Sequence, residues 1–459
     1  MSRPNFLVMM TDQQRGDSLG CEGHPTLLTP NMDSIAGAGT RFSRAYSTCP
    51  VCIPARRSFL SGQFPATCGL VGMRDLEWNP PATLPGELAK AGYQTFLVGR
   101  TMHQYPVRKR FGFDHMVIQS GIEGADYEAF LAHNAPPGAG GPRGAGITHN
   151  DWTARPWHLP EPLHYTNWTV TQAEEFLRTR DPSCPYFLVV SFLAPHPPLV
   201  PPAFYFDRYL RANLPAPVIG DWAVPPENNL PVNSSRVNLT GEALRSCQAG
   251  YYGLINHIDD QIRRILNPIE CLVDSNTVIL FTSDHGEMLG DHYLFRKSLP
   301  YEGSARIPFL IQGPGLPADQ VLDAPVCLED IMPTVLDLAG VPIPASVDGR
   351  SVVPLLTGKQ PTWRPYLHGE HAGTAHFLTD GVEKYIWFAA DGREQFFNLK
   401  DDPKECTDLA RTGQSSKRVA FWRQRLIEQL LDRPEGFTDG KKLIPGRRYE
   451  PVIPGSPKN

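Results

Sequence analysis

The stretch Cys52-Ile53-Pro54-Ala55-Arg56, followed by Leu60-Ser61-Gly62, decides how the rest of this sequence is interpreted. Proline is favoured in the first turn of a helix, where its missing N–H group leaves no bond unmade. The segment therefore predicts a helix that starts near the cysteine and continues beyond Arg56. A helix start attracts anions, and an arginine one turn along adds a permanent planar cation. We expect a cradle for a sulfate or phosphate group beside Cys52.

An alternative interpretation of this segment starts from Cys49 and Cys52, which form a C-x-x-C pair. That spacing is also found in redox pairs and in half of many zinc sites. The other cysteines are scattered along the chain and supply no second C-x-x-C, which disfavours a closed zinc site. A non-catalytic or redox protein that uses Cys49 and Cys52 stays open as a distant alternative.

Short apolar runs that alternate with helical stretches predict the fold class. The runs typical of buried strands are residues 6–10, 95–98, 187–192, 278–281 and 307–311. Residues 84–91 and 251–266 have helical periodicity. Alternation of strands and helices favours an α/β fold in which helices sandwich a large, mostly parallel sheet.

Polar side chains follow four of these strands at the point where each strand ends. They are Asp12 and Gln13, then Arg100 and His103, then His196, and last Asp284 and His285. A single polar residue after a strand is usually a cap or a turn residue. Because ligands of such sheets bind outside the carboxyl ends of the strands, four such groups predict one shared site.

Asp12 and Asp284 are the strongest candidates for metal ligands, since a carboxylate at the end of a buried strand needs a compensating cation or donors. Gln13 can add a carbonyl oxygen and His285 an imidazole nitrogen. Oxygen ligands suit Ca²⁺, whereas a histidine ligand shifts the preference toward Mn²⁺. Two alternatives stay open: Gln13 could bond a turn, and His285 could orient Asp284 without binding the ion.

The Cys52 segment resembles the signature of the type I sulfatases, C-x-P-x-R-x-x-x-L-[ST]-G, within the alkaline-phosphatase-like superfamily. The matching residues are Cys52, Pro54, Arg56, Leu60, Ser61 and Gly62. The resemblance implies that a formylglycine-generating maturation enzyme oxidises Cys52 to formylglycine, whose hydrate is the nucleophile. It also implies that the modified Cys52 is a ligand of one divalent metal ion. Gln13 and His285 depart from the common sulfatase metal set and resemble the branch of choline sulfatases and phosphonate monoester hydrolases.

The same resemblance implies roles for groups around the nucleophile. Arg56 and Lys297 would balance charge on the sulfate, and Asp284 would accept the proton of the attacking hydroxyl. His196 or Lys297 would protonate the departing alcohol. Arg100 and His103 resemble a G-K-x-H segment, with arginine for lysine and one extra residue before the histidine. There Arg100 would bind an anion and His103 would help to deprotonate the hydrate.

The resemblance covers nearly the whole chain and implies its domain organisation. Residues 1–364 would form the sulfatase catalytic α/β domain. Residues 365–440 would form a C-terminal α+β subdomain, with strands at 377–380, 384–388 and 395–399 and a helix at 419–432. His368 and His371 are expected in a loop at its start. We expect the tail, 441–459, to be an arm that contacts another subunit of a homo-oligomer through Tyr449, Val452 and Ile453.

Composition and charge limit the choice of partners. The chain has 459 residues and a formal net charge of -5, which argues against nucleic acid. No apolar run reaches the length of a membrane span, and the N-terminus shows no secretory signal. These features predict a cytoplasmic enzyme that acts on a small anionic ester and does not bind a membrane.

Two questions about the substrate stay open in the sequence. Sulfate ester hydrolysis is the leading hypothesis, and hydrolysis of phosphonate monoesters or phosphodiesters by the same machinery is the close alternative. The alcohol portion is not selected by any motif. Candidates to contact it include Trp152 and Trp157, which follow a Gly/Pro-rich insertion at 135–146, together with Arg74 and Trp78.

Overall fold

The computed structural model describes residues 3–119, 125–227, 230–267, 269–359, 362–413 and 415–456. The strands are β1 Asn5–Asp12, β2 Thr40–Phe42, β3 Ala45–Tyr46, β4 Gln94–Arg100, β5 His115–Gln119, β6 Tyr186–Pro195, β7 Thr277–Ser283, β8 Phe309–Gln312, β9 Gln320–Leu322, β10 Val326–Cys327, β11 Leu367–His371, β12 Ala375–Thr379, β13 Glu383–Phe388 and β14 Glu394–Asn398. The α-helices are α1 Pro30–Gly37, α2 Cys52–Ser61, α3 Pro65–Cys68, α4 Leu84–Lys90, α5 Asp126–Asn134, α6 Tyr165–Thr179, α7 Ala203–Leu210, α8 Gly241–Ile265, α9 Glu302–Ala305, α10 Ile331–Ala339, α11 Val353–Leu356 and α12 Ser416–Gln429.

A large mixed sheet forms the centre of the chain. Its strand order is β5-β4-β6-β1-β7-β8-β2-β9, and the five strands from β5 to β7 are parallel. β8 is antiparallel to both of its neighbours, β7 and β2. The predicted α/β fold with a mostly parallel sheet is confirmed.

Alternate residues of the central strands supply the two layers of the core. Leu7 and Met9 of β1 face one cluster, which contains residues of α1, α6 and α8. Phe6 and Val8 face the other cluster, with residues of α2, α4 and α10. Because both faces are covered by helices, the strand interiors are continuously apolar and only their ends are polar.

The predicted elements agree with the structure except at certain boundaries. The last predicted strand, 307–311, begins only at Phe309, because Pro308 has no N–H group for the ladder. The helix predicted at 251–266 begins ten residues earlier, at Gly241. Its first turns are largely exposed, so no apolar periodicity marks them in the sequence.

The C-terminal part contains an antiparallel sheet in the order β11-β12-β13-β14, with α12 packed against it. The three predicted strands and the predicted helix are present there. The expectation of a loop around His368 and His371 is wrong, because both lie in β11, which pairs with β12. Strand β11 alternates histidine with glycine and glutamate, so it lacks the β-branched residues that mark a strand.

The tail, expected to reach another subunit, contacts its own chain over the residues described. The hydroxyl of Tyr449 donates to Glu370 Oε2 at 2.9 Å, and Val452 forms a bridge with Leu70. Ile453 packs against Val71 and Ala372. The apolar anchors are therefore used within the chain, while the homo-oligomer and the domain boundaries stay predictions. Among the helices of the described residues, none has the length and apolar character that a membrane span requires.

Candidate active site

The sheet brings two carboxylates together at the carboxyl ends of neighbouring strands. β1 and β7 pair in parallel, with Thr11 opposite Ser283. Asp12 and Asp284 each come one register step further, and both are fully buried. The sequence prediction that these strand ends share one site is consistent with this geometry.

Helix α2 carries the cysteine to the same place. Cys52 is the first residue of the helix, after an extended Val51. Its Sγ lies 3.2 Å from His285 Nε2 and 3.8 Å from Asp12 Oδ1. Burial and the charge of Asp12 raise the pKa of this thiol, but Lys297 and His285 outweigh them, so that the pKa lies below its ordinary value.

Asp12, Cys52, Asp284 and His285 form a buried cluster in which one ligand atom of each lies within 4.8 Å of every other. The ring of His285 is oriented for such a role, since its Nδ1 lies 3.0 Å from the carbonyl oxygen of Gly286. A carbonyl can only accept, so Nδ1 carries a proton and Nε2 faces the cluster. Burial lowers the pKa of His285, but the charges of Asp284 and Cys52 raise it above its ordinary value, so a bound cation would have to displace a proton from Nε2. This donor set fits a divalent metal ion, and the orientation of His285 favours a ligand over an indirect role.

Arginines neutralise the carboxylates from the other side. Arg56 is fully buried; its Nε donates to Asp284 Oδ2 at 2.8 Å, and its NH2 group lies 3.4 Å from Asp12 Oδ2. Arg100 Nε donates to the same Asp12 oxygen at 3.0 Å. Burial alone would raise the pKa of Asp12, but the surrounding positive charges hold it well below its usual range. Asp12 is therefore held ionised, as a metal ligand requires.

Gln13 lies in a strained position beside the cluster. Its φ is +74°, and its backbone N–H donates to Asp284 Oδ1 at 3.1 Å. The side-chain oxygen accepts from Lys297 Nζ at 2.7 Å, while the amide nitrogen contacts Glu287. Gln13 thus links the cluster to Lys297, and its service as a metal ligand stays a proposal.

His103 lies next to Arg100 in spite of the extra residue in its segment. A left-handed backbone at His103, with φ +54°, absorbs that residue and leaves His103 Nε2 3.4 Å from Arg100 NH2. Burial, with the charges of Arg100 and Arg56, holds the pKa of His103 well below its usual range. The ring is neutral near pH 7 and can accept a proton.

His196 faces the site from the end of β6. Its Nδ1 lies 2.6 Å from the carbonyl oxygen of Pro197, and its ring lies against His149, with centroids 4.6 Å apart. Burial first, and then the charge of Lys297, place the pKa of His196 well below its usual value. A neutral His196 presents an acceptor, so Lys297 is the better proton donor of the two groups considered from the sequence.

Cys52, Arg100, His103, His196 and Lys297 line one cleft of about 460 Å³. The described lining residues are Val51, Cys52, Met73, Arg100, His103, His149, Asn150, His196, Ser235, Leu294, Arg296, Lys297, Ser298, Leu299 and Thr374. The three tryptophans expected to contact the alcohol are not among these lining residues, although Trp152 lines an adjoining cavity that shares Asn150 and Arg296 with the cleft. Trp157 is part of the core, and Trp78 and Arg74 line a separate cavity.

Several residues of the site escaped the sequence analysis. Ser191 Oγ accepts from Arg56 NH1 at 2.9 Å, and a polar residue inside an apolar strand could have revealed it. His149, Arg296 and Thr374 line the cleft from loops, and no motif marks them. Thr374 comes from the turn between β11 and β12, so the C-terminal sheet contributes to the cleft.

Comparison with known proteins identifies the family. The sequence profile of the family described as Sulfatase matches residues 4–341, most of the chain. The chain belongs to the sulfatase family. A second profile, described as N-sulphoglucosamine sulphohydrolase, C-terminal, matches residues 290–432. The predicted membership of this family is confirmed, and with it the class of sulfuric ester hydrolases.

Individual relatives agree with this assignment. An arylsulfatase of Clostridium perfringens is 41% identical, over 97% of this chain and 98% of its own length. A choline-sulfatase of Rhizobium meliloti is 31% identical over 89% of this chain and 82% of its own. The fold is shared with the phosphonate monoester hydrolase of Agrobacterium radiobacter, which superposes with a TM-score of 0.80 at 24% identity, over 93% of this chain and 95% of that one.

Proposed function

We propose that this sulfatase hydrolyses small anionic sulfate esters, with formylglycine derived from Cys52 as nucleophile and one divalent ion, Ca²⁺ or Mn²⁺. The observation that carries the proposal is the buried cluster around Cys52, in which two carboxylates and an imidazole face the sulfur. A redox pair has no need of such a set of metal-binding groups. Maturation requires the formylglycine-generating enzyme as a partner.

The metal would be held by Asp12, Asp284, His285 and the modified Cys52, with Gln13 as a further oxygen donor. When bound, a divalent cation supplies Lewis acidity and balances negative charge on the ester. The imidazole ligand favours Mn²⁺ over Ca²⁺. The side-chain oxygen of Gln13 now accepts a hydrogen bond from Lys297 Nζ at 2.7 Å. It could bind the ion if that hydrogen bond were broken.

In the first step a hydroxyl of the formylglycine hydrate attacks sulfur, and the bond from sulfur to the alcohol oxygen breaks. One carboxylate of the pair takes the proton of that hydroxyl, either Asp284, as expected from the sequence, or Asp12. Both oxygens of Asp284 accept hydrogen bonds, from Arg56 Nε and from the backbone N–H groups of Gln13 and His285. Asp12 Oδ1 lies 3.8 Å from Cys52 Sγ.

The departing alkoxide takes its proton from Lys297, whose ammonium faces the cleft beside Gln13. Arg56 and Lys297 balance the charge on the sulfate oxygens during transfer. Neutral His196 can accept a hydrogen bond from a hydroxyl or amide group of the alcohol portion. Proton donation of this kind contributes about 10²–10⁴-fold to a rate.

In the second step the remaining hydroxyl of the sulfated hydrate loses its proton to neutral His103. The carbonyl of formylglycine reforms as the bond from its carbon to the sulfate oxygen breaks, and sulfate leaves. Water then hydrates the aldehyde again. An unmodified thiol lacks this second hydroxyl and cannot complete the cycle, so unmatured protein is expected to be nearly inactive.

A second candidate function is the hydrolysis of phosphonate monoesters or phosphodiesters. The fold shared with a phosphonate monoester hydrolase favours it, as do Gln13 and His285 at the metal site. Sulfate and phosphonate monoesters both present one negative charge on a tetrahedral centre, so the same groups can serve both.

Matured, metal-loaded protein should be compared on 4-nitrophenyl sulfate and 4-nitrophenyl phenylphosphonate. We expect the larger kcat/KM for the sulfate. A larger kcat/KM for the phosphonate would reverse the ranking, and failure to hydrolyse either ester would reject both functions.

A further inference from the structure

The wall of the active-site cleft carries an arginine whose charge is not matched by the protein. Arg296 lines the cleft next to Lys297. Its guanidinium donates to the carbonyl oxygen of Asn233 at 2.6 Å. Within the part of the chain that the structure describes, Arg296 forms no ion pair with a carboxylate. A guanidinium stays charged at any pH in which the protein is folded, so its counter-charge is left to a ligand.

The other cations of the cleft are already engaged in the reaction centre. Arg100 is paired with Asp12, and Lys297 is bonded to Gln13. Among the arginines and lysines of the described lining, Arg296 is therefore the one that is not bonded to a group of the reaction centre. Arg296 can therefore bind a second group of the substrate, while Arg100 and Lys297 serve the reaction centre.

The backbone fixes Arg296 in place. Its φ of +70° is unusual for a non-glycine residue, and Ser298 on the other side of Lys297 has φ +71°. The carbonyl oxygen of Arg296 accepts from the backbone N–H of Met288 at 2.9 Å, and its own N–H contacts the buried carboxylate of Glu287. The backbone of Arg296 therefore has an unfavourable φ angle that two hydrogen bonds hold in place. Such strained residues occur often at binding sites.

The remaining lining shows which alcohols the cleft can accept. The lining residues described above include no Asp or Glu and no Phe, Tyr or Trp. A quaternary ammonium group such as choline needs carboxylates or aromatic faces around it. The cleft instead presents Arg296 with the neutral polar side chains of Asn150, Ser235 and Thr374, which suit a polar or anionic group.

We propose that Arg296 forms a second anion subsite, which binds a carboxylate or another negatively charged group on the alcohol portion of the sulfate ester. This proposal rests on the proposed function, because it locates the alcohol in the same cleft. The substrate is then an ester with at least two negative charges: one on the sulfate, held at Cys52, and one on the alcohol. Choline sulfate, with a cationic alcohol, is disfavoured.

The test uses phenyl sulfates that differ only in the charge of the para substituent: carboxylate, the neutral carboxamide, and trimethylammonium. Wild type is expected to show the largest kcat/KM for the carboxylate and the smallest for the ammonium. In Arg296→Gln the ratio of carboxylate to carboxamide should fall about fivefold, as for the loss of one half-exposed ion pair. Because each variant is measured on the same esters, leaving-group acidity cancels from the comparison of ratios.

Arg211→Gln is the matched control, because Arg211 is an exposed arginine that pairs with Asp207 and does not line the cleft. It should keep the wild-type ratio. An unchanged ratio in Arg296→Gln would overturn the subsite, while hydrolysis of the carboxamide ester upholds the proposed function. Failure of matured wild type to hydrolyse any of the three esters would reject the function itself.

Discussion

The floor and the outer wall of the cleft are built in different ways. On the floor, Asp12, Cys52, Arg56, Asp284 and His285 are all buried, and each has a partner among the others. On the outer wall, Met73 is 47% exposed, and the side chain of Arg296 donates a hydrogen bond to the carbonyl oxygen of Asn233 and forms no ion pair with a described carboxylate. The charged groups of the floor are paired with one another, which fixes their positions for bond breaking. The side chains of the wall can instead contact the alcohol portion of the substrate.

The difference follows from the elements that carry the residues. The floor is made of strand ends and a helix start, whose positions are fixed by the register of β1, β6 and β7. The wall is made of loops and of the turn after β11, which carries Thr374. In many enzymes a rigid scaffold holds the catalytic residues and loops carry the residues that determine specificity.

The largest effect is expected where the two regions meet, at Lys297. Lys297→Ala removes the proposed proton donor, so kcat should fall on the order of 10³-fold, as for other lost general acids. The loss should be larger for an alkyl sulfate, which needs the proton, than for 4-nitrophenyl sulfate, which does not.

Lys90→Ala serves as the control, since Lys90 is an exposed lysine of α4 that pairs with Glu87. It should leave kcat close to wild type. Equal losses for the alkyl and the nitrophenyl ester in Lys297→Ala would show that Lys297 only binds the sulfate.

The sequence predicted the floor far better than the wall, for a physical reason. Asp12 and Asp284 directly follow apolar strands, and Cys52 lies in a motif. At these buried positions few residue types are tolerated. Arg296 and Thr374 are polar residues in loops, which is the ordinary composition of a surface. The turn that carries Thr374 also follows β11, which the sequence did not mark as a strand.

Within the floor, the sequence predicted the residues and not their bonding. The sequence did not reveal that the backbone N–H groups of Gln13 and His285 both donate to Asp284 Oδ1. Such bonds arise only when the two strands are paired. Trp157 is buried in the core and does not line the cleft, whereas Trp152 is partly buried and lines an adjoining cavity.

A second expected effect is stabilisation of the floor by its metal ion. Dialysis against a chelator followed by addition of Mn²⁺ or Ca²⁺ should raise the unfolding midpoint, with about 2.7 kcal/mol of stabilisation at a hundredfold excess over the dissociation constant. Calorimetry measures it independently of activity. Asp12→Asn should reduce this shift, and an equal shift in Asp12→Asn and wild type would place the ion outside the cluster.

The smallest effect is expected on the outer wall. Met73→Ala truncates a half-exposed side chain, so it should alter KM for bulky aryl sulfates by less than about threefold and leave the free energy of unfolding within about 0.5 kcal/mol. Steady-state kinetics and urea unfolding measure the two quantities. A large fall in kcat for this variant would contradict the division between wall and floor.

The nature of the side chain at position 52 is the most direct test of the account. Active protein produced together with a formylglycine-generating enzyme should be digested, and the peptide that contains residue 52 should be weighed and treated with a hydrazide reagent. The account predicts the aldehyde mass, reaction with the hydrazide, and a specific activity that rises with the aldehyde fraction across preparations. Full activity in protein that carries only the thiol at Cys52, or in Cys52→Ala, would contradict it.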